Sequence, residues 1–263
     1  MIYVGIGGWT FAPWRGPFYP KGLPHAQELA HASRHVTSIE INGTFYRTQT
    51  PETFRNWAQE TPHGFIFAVK GPGAVSNRKD LAEAGQSIAR FFESGPTGMG
   101  DKLGPILWQL APTKKFAKGE IAGFLELLPR SYDGRPVRHA LEARHDSFKT
   151  PEFIDVMRRA KVPVVYAHSD KYTEIADVTG DFVYARLQRS SEAHETGYSS
   201  AELEVWAKRA KAWAGGNEPA ELPRVAESAN ASVQPRDCFV CFIPGAKERN
   251  PAAAMALIER LKS

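Results

Sequence analysis

The stretch Ser38-Ile39-Glu40-Ile41-Asn42-Gly43-Thr44-Phe45-Tyr46-Arg47 places a carboxylate, an amide, a phenol and a guanidinium within eight positions. Isoleucines alternate with polar residues up to Asn42, the period of a strand, and Thr50-Pro51-Glu52 marks a helix start just beyond. Polar side chains crowded at a strand end ahead of a helix form the rim of an α/β site. The theme recurs along the chain: Lys70 before Gly71-Pro72, Gln109 before Ala111-Pro112, Glu142 and Arg144 before His145 and Asp146, His168 and Asp170, then Arg186 and Gln188. The i, i+2 spacing puts Glu40 with Asn42, Glu142 with Arg144, and Arg186 with Gln188 on single strand faces, and predicts that those faces point inward.

The residue types suggest a ligand. Lys70, Arg144 and Arg186 are positive donors, and arginine forks suit phosphate or carboxylate oxygens. Glu40 and Glu142 can serve as general base and acid, or bind a hard cation. Asn42, Tyr46, Gln109 and Gln188 can orient a substrate, and Trp9 can face it. A charge inside a barrel costs several kcal/mol unless it is paired or wet. A structural network, with the two glutamates neutralising Lys70, Arg144 and Arg186, is therefore the competing reading for any one residue. The ensemble favours a ligand site.

Eight short apolar runs can carry these positions: Ile2–Gly7, Ser38–Asn42, Phe65–Lys70, Ile106–Leu110, Ala140–Arg144, Val162–His168, Phe182–Leu187 and Cys238–Ile243. Amphipathic helical stretches separate most of them, over Pro24–His35, Pro51–Glu60, Leu81–Glu93, Glu120–Leu128, Pro151–Ala160, Ser199–Ala214 and Pro251–Leu261. This alternation, in 263 residues, predicts a single-domain α/β protein with a (β/α)8 TIM barrel over the whole chain. No helical pattern lies between His168 and Phe182, so the helix after strand six is expected to be abbreviated or missing. Residues 215–236, rich in Ala, Pro, Glu and Ser, read as a flexible surface insertion before the last strand, at the barrel's bottom face. The loop Arg189–Tyr198 is a candidate lid. The aromatic run Trp9, Phe11, Trp14, Phe18 and Tyr19 reads as a satellite core that anchors the first loop, with Trp9 as the exception that meets a ligand.

Several function classes find no support. The formal charge of +4, with both signs interspersed, permits an anionic ligand and does not demand nucleic acid. Met1-Ile2-Tyr3-Val4-Gly5 lacks a basic n-region, no run approaches a membrane span, and a cytoplasmic location is expected. Cys238 and Cys241 would point to opposite faces of a strand, which argues against a disulfide or a shared metal. Gly5-Ile6-Gly7-Gly8-Trp9-Thr10 lacks the third glycine of a dinucleotide fingerprint. Gly95-Pro96-Thr97-Gly98-Met99-Gly100-Asp101 has aspartate where a phosphate loop needs lysine. No histidine spacing resembles a zinc site, and no serine elbow is present. The residue types imply no cofactor outright, a divalent metal being the one they could accept. They leave the oligomeric state open.

Taken together, these motifs resemble the DUF72 family, also called YecE-like or UPF0759, a group of TIM-barrel proteins without an established role. The resemblance rests on Gly7-Gly8-Trp9, Phe18-Tyr19-Pro20, Glu40 through Arg47, Lys70, Lys102 through Leu110, Glu142-Ala143-Arg144-His145 and Tyr184-Ala185-Arg186-Leu187. It implies the barrel and the mouth as the site, and supplies no substrate. Three positions depart from the family pattern. Gln188-Arg189 stands where relatives usually have His-Gly, Ile243-Pro244 where they often have Asn-Asn, and Ser76-Asn77 where they often have Thr-His. If the lost histidines carry proton transfer or metal in relatives, this chain is an altered member. Three functions follow: an enzyme acting on a small anionic ligand; a metal-dependent phosphodiesterase or nuclease-like barrel with Glu40, Glu142 and Asp170 as oxygen ligands; or a binding or scaffold barrel.

Overall fold

The computed structural model describes residues 1–227 and 234–262. Eight parallel strands build one sheet: β1 (Ile2–Gly7), β2 (Ser38–Ile41), β3 (Ile66–Lys70), β4 (Leu103–Gln109), β5 (His139–Glu142), β6 (Tyr166–His168), β7 (Phe182–Leu187) and β8 (Asp237–Phe242). Each strand pairs with its sequence neighbour except β5 with β6, and β8 returns to β1 with Ile2 opposite Cys238 and Ile6 opposite Phe242. The gap between β5 and the approach to β6 is bridged at Leu141 and Val164. Leu141 N donates to Pro163 O at 3.0 Å, and Val165 N to Leu141 O at 2.9 Å. The sheet therefore curls into the expected barrel.

Strand alternation sorts the side chains into two cores. On β7, Val183, Ala185 and Leu187 join the large core between strands and helices, while Phe182 and Tyr184 join a smaller one inside the barrel. On β8, Cys238, Val240 and Phe242 face outward, and Phe239, Cys241 and Ile243 inward. The two cysteines are free and on opposite faces. The interior is apolar at the bottom, where Tyr3 stacks on Phe239 at 4.8 Å. Higher up the inward positions become polar, which is where the site begins. Gly5 lets β1 and β2 approach: a Cβ there would sit 2.5 Å from Ser38 O.

Helix ends are set by ordinary chemistry. Thr50 and Thr150 cap the helices Pro51–Glu60 and Pro151–Ala160, each with proline in the first turn. Ser199 and Glu202 form a capping box on Ser200–Ala214. Local departures from the sequence reading are small. The stretch 24–35 divides into a 3-10 turn and a short helix, Glu28–Ala32, and 81–93 into a 3-10 turn and the helix Gly85–Glu93. Two four-residue helices, Gly43–Tyr46 and Gly73–Ser76, are too short to leave a periodic signal. No helix follows β6. Of the stretch 215–236, residues 228–233 lie outside the described residues. Its described part is tied down: Leu222 is buried, Ala176 N donates to Pro223 O, and the Asp177 carboxylate accepts from Val225 N and Ala226 N. Among the described residues, no helix is long and apolar enough to cross a membrane.

Candidate functional site

The C-terminal ends of all eight strands surround one cavity of about 830 Å³. Gly7 ends β1, Asn42 follows β2, Lys70 and Gln109 end β3 and β4, and Arg144 follows β5. Ser169 follows β6, Arg186 and Gln188 mark the end of β7, and Ile243 follows β8. Trp9 and Tyr46 complete the rim. The structure thus brings together the eight side chains read from the sequence as ligand contacts: Trp9, Asn42, Tyr46, Lys70, Gln109, Arg144, Arg186 and Gln188. Glu40 and Glu142 are not in the wall. They lie one layer deeper, both fully buried.

Arg186 organises that deeper layer. Its Nε and Nη2 donate to Oε2 and Oε1 of Glu40, both at 2.9 Å, and its Nη1 donates to Oε2 of Glu142 at 2.6 Å. Tyr184 Oη also donates to Glu40 Oε2, at 2.9 Å. Glu142 accepts further from Gln109 Nε2 at 2.7 Å and Arg144 Nε at 3.0 Å. Burial alone would raise the Glu142 carboxyl, but Arg186 and Arg144 outweigh it and hold the group below the usual range. The glutamates act here as acceptors that fix two guanidinium planes. Arg186 spends three of its five N–H donors on them, and Arg144 packs its remaining face on the Tyr172 ring at 4.0 Å.

Lys70 is the exception among buried charges. The other buried acidic, basic or histidine side chains among the described residues, Glu28, Glu40, His139, Glu142, Asp177 and Arg186, all have hydrogen-bond partners. Lys70 is only 6% exposed, and among the described residues its Nζ has no hydrogen bond or ion pair. The ammonium lies 4.1 Å from the centre of the Phe45 ring. Burial lowers its pKa from 10.5 to about 8, with Glu40 and Glu142 opposing that shift and Arg186 and Arg144 adding to it. The backbone is firmly placed: Thr44 Oγ1 donates to Lys70 O at 2.6 Å, and Gly71 N to Leu107 O at 2.9 Å.

With this geometry in view, comparison with known proteins decides the family. The profile described as protein of unknown function DUF72 matches residues 3–263. The chain belongs to the DUF72 family. The UPF0759 protein YunF of Bacillus subtilis strain 168 is 26% identical over 160 residues, which cover 59% of this chain and 55% of that protein. The match therefore spans about half of that curated relative's length. Two solved DUF72 structures share the fold. One, from Thermotoga maritima MSB8, is 24% identical with a TM-score of 0.71 over the whole of both chains. The other, from Enterococcus faecalis V583, is 17% identical with a TM-score of 0.71, covering 100% of this chain and 96% of that one.

Two of the three departures from the DUF72 pattern sit on the cavity wall, since Gln188, Ile243 and Pro244 all line it. Among the described residues, the buried Gln188 Nε2 has no hydrogen-bond partner. The histidines near the strand ends do not compensate. His168 packs against Trp206 at 4.8 Å, and His145 Nδ1 accepts from Ser147 N in a 3-10 turn. Among the described residues, no three His, Cys, Asp or Glu side chains come together in a way that would hold a metal. The oxygen set Glu40, Glu142 and Asp170 does not fit one: Arg186 stands between the glutamates, and Asp170 pairs with Arg189 at 2.7 Å.

The wall also holds residues that sequence reasoning missed. Lys171 and Tyr172 come from the helix-free connection after β6, Trp57 from the helix Pro51–Glu60, and Lys247 from the loop after β8. Trp57 meets Trp9 edge-on at 5.2 Å. The satellite core is present: Trp14 and Tyr19 are buried, and Trp14 Nε1 donates to Lys247 O at 2.9 Å. The loop Arg189–Tyr198 closes on itself through Ser191 N and Gly197 O and contributes nothing to the cavity wall.

Proposed function

We propose that this DUF72 barrel binds a small phosphorylated or carboxylated molecule at its C-terminal mouth and acts on it as an enzyme. One observation carries the reading: the cavity is lined by six basic side chains against a single aspartate that is already paired, and one of the six, the buried Lys70, has no hydrogen-bond or ion-pair partner among the described residues. A buried cation without a counter-ion is costly, and an anionic ligand removes that cost. Lys70, the two spare N–H donors of Arg186 and the terminal nitrogens of Arg144 can converge on the anion. Gln188 Nε2, Asn42 and Gln109 can read its polar remainder, and Trp9 and Tyr46 can flank it. Glu40 and Glu142 hold the arginines in orientation. With those carboxylates engaged by guanidinium groups, proton transfer falls to Lys70, whose pKa of about 8 is near neutrality.

The test is a thermal-shift and calorimetric screen of inorganic phosphate and phosphorylated or carboxylated metabolites at low ionic strength. At a hundredfold excess over Kd, a ligand adds about 2.7 kcal/mol to stability, which should raise Tm by several degrees. Arg144→Gln should weaken the response. A chain that responds to no anion would instead be a binding or scaffold barrel of another kind.

A further inference from the structure

We infer that Lys70 is an imine-forming nucleophile and that the molecules this mouth accepts are small aldehydes or ketones that also carry a phosphate or carboxylate group. The inference rests on the anion-site reading above and adds the reacting group of the ligand. Its ground is the way the buried charges are distributed. If the only task at position 70 were to grip an anion, an arginine would do it as well, as Arg144, two strands away, and Arg186, four strands away, hold carboxylates. Lysine differs in that it can release its proton and expose a lone pair. That requires an ammonium with no carboxylate to hold it, in a site with little water.

The structure meets the first condition and buries the Lys70 side chain. The two carboxylates nearest in charge to Lys70 are occupied: Glu40 by Tyr184 Oη and two Arg186 nitrogens, Glu142 by Gln109, Arg144 and Arg186. The guanidinium groups of Arg186 and Arg144 add like charge, and the Phe45 ring covers one side of the amine. The fold leaves Nζ unclaimed on the floor of a cavity with room for a sugar phosphate. Anchoring by Thr44 and Leu107 keeps the strand end rigid.

The chemistry balances without a further reagent. The neutral Nζ attacks the carbonyl carbon and a C–N bond forms. One N–H proton passes to the former carbonyl oxygen, giving a carbinolamine. That hydroxyl then leaves as water with the second N–H proton, and a C=N bond remains. Arg144 and Arg186 hold the ligand's anionic group, so its carbonyl is presented to Lys70.

The probe is pyridoxal 5′-phosphate, an aldehyde bearing a phosphate, added to the full chain with sodium borohydride to fix any imine, followed by peptide mapping. Pyridoxal without the phosphate is the control, and exposed Lys208 serves as an internal reference. Lys70 should be labelled at least about tenfold faster by the phosphorylated aldehyde than by pyridoxal, since charge-assisted contacts to phosphate exceed the 1.4 kcal/mol that a factor of ten represents. Excess inorganic phosphate should suppress that labelling and leave Lys208 unchanged. Glyoxylate with borohydride extends the test to carboxylates. Lys70→Arg should keep phosphate-induced stabilisation and lose the adduct in the mouth. Labelling of Lys70 no faster than of Lys208 would overturn the imine inference. If phosphate still stabilised the protein in that case, the anion-site reading would survive alone; if it did not, both would fall.

Discussion

Replacing Lys70 with methionine should make this protein more stable at neutral pH and deaf to anions. The side chain is buried, and methionine can keep its contact with Phe45 while removing the charge. The magnitude follows from the proton affinity. Burial brings the pKa from 10.5 to about 8, and each tenfold change in a protonation constant is worth about 1.4 kcal/mol, so holding the charge inside the fold costs about 3 kcal/mol. Below pH 8 the group is charged in folded and unfolded chains alike, and the full penalty is present. Between about pH 8 and 10.4 the unfolded chain binds a proton that the folded chain has released, so wild-type stability rises relative to the variant. Above that range the penalty is gone. Urea denaturation at pH 7 should therefore show Lys70→Met ahead by about 2–3 kcal/mol, and at pH 10 by under about 1 kcal/mol. In parallel, the phosphate-induced Tm rise of the wild type should be lost. A variant that is less stable at pH 7, or a gap that is the same at both pH values, would refute the claim that Lys70 is an uncompensated buried charge.

Other perturbations probe the same layer. Arg186→Leu takes the cation from buried Glu40 and leaves Glu142 with Arg144 alone, and should cost about 3–5 kcal/mol at pH 7. Part of that loss should return by pH 5, because the buried Glu40 carboxylate in the variant takes up a proton more readily folded than unfolded; denaturation curves with a loss under about 1 kcal/mol would contradict the network. Gln188→Leu removes an amide whose nitrogen has no partner, so stability should change by less than about 0.5 kcal/mol while phosphate affinity drops, as read by calorimetry. Gly71→Ala drives a Cβ into the Trp108 ring and should cost about 1–3 kcal/mol in urea titrations; an unchanged midpoint would show that the ring yields freely. Affinity for sulfate, whose charge does not titrate near neutrality, should fall as pH rises above about 8 in the wild type and stay level in Lys70→Arg. A flat wild-type profile would remove Lys70 from the anion's contacts.

The barrel was legible along the chain because its causes are local and repeated. Eight β-branched and aromatic runs alternate with helical stripes, Pro51–Glu60 and Pro151–Ala160 have the same limits in the sequence pattern and in the fold, and the sixth unit lacks a helical pattern where the fold lacks a helix. The i, i+2 polar pairs marked the strand ends that meet at the mouth, since period-2 geometry requires no knowledge of neighbours. What the chain's order could not convey was depth and partnership. The i, i+2 spacing put Glu40 and Asn42 on one face, yet Glu40 is buried against Arg186 and Asn42 lies on the wall, because the strand ends at Ile41 and Asn42 already has helical backbone one step nearer the mouth. Nor could spacing tell which of Lys70, Arg144 and Arg186 would claim the two carboxylates. Guanidinium forks reach both oxygens of a carboxylate at once and an ammonium does not, so the fold gives the carboxylates to the arginines and leaves Lys70 without a partner among the described residues, facing the mouth.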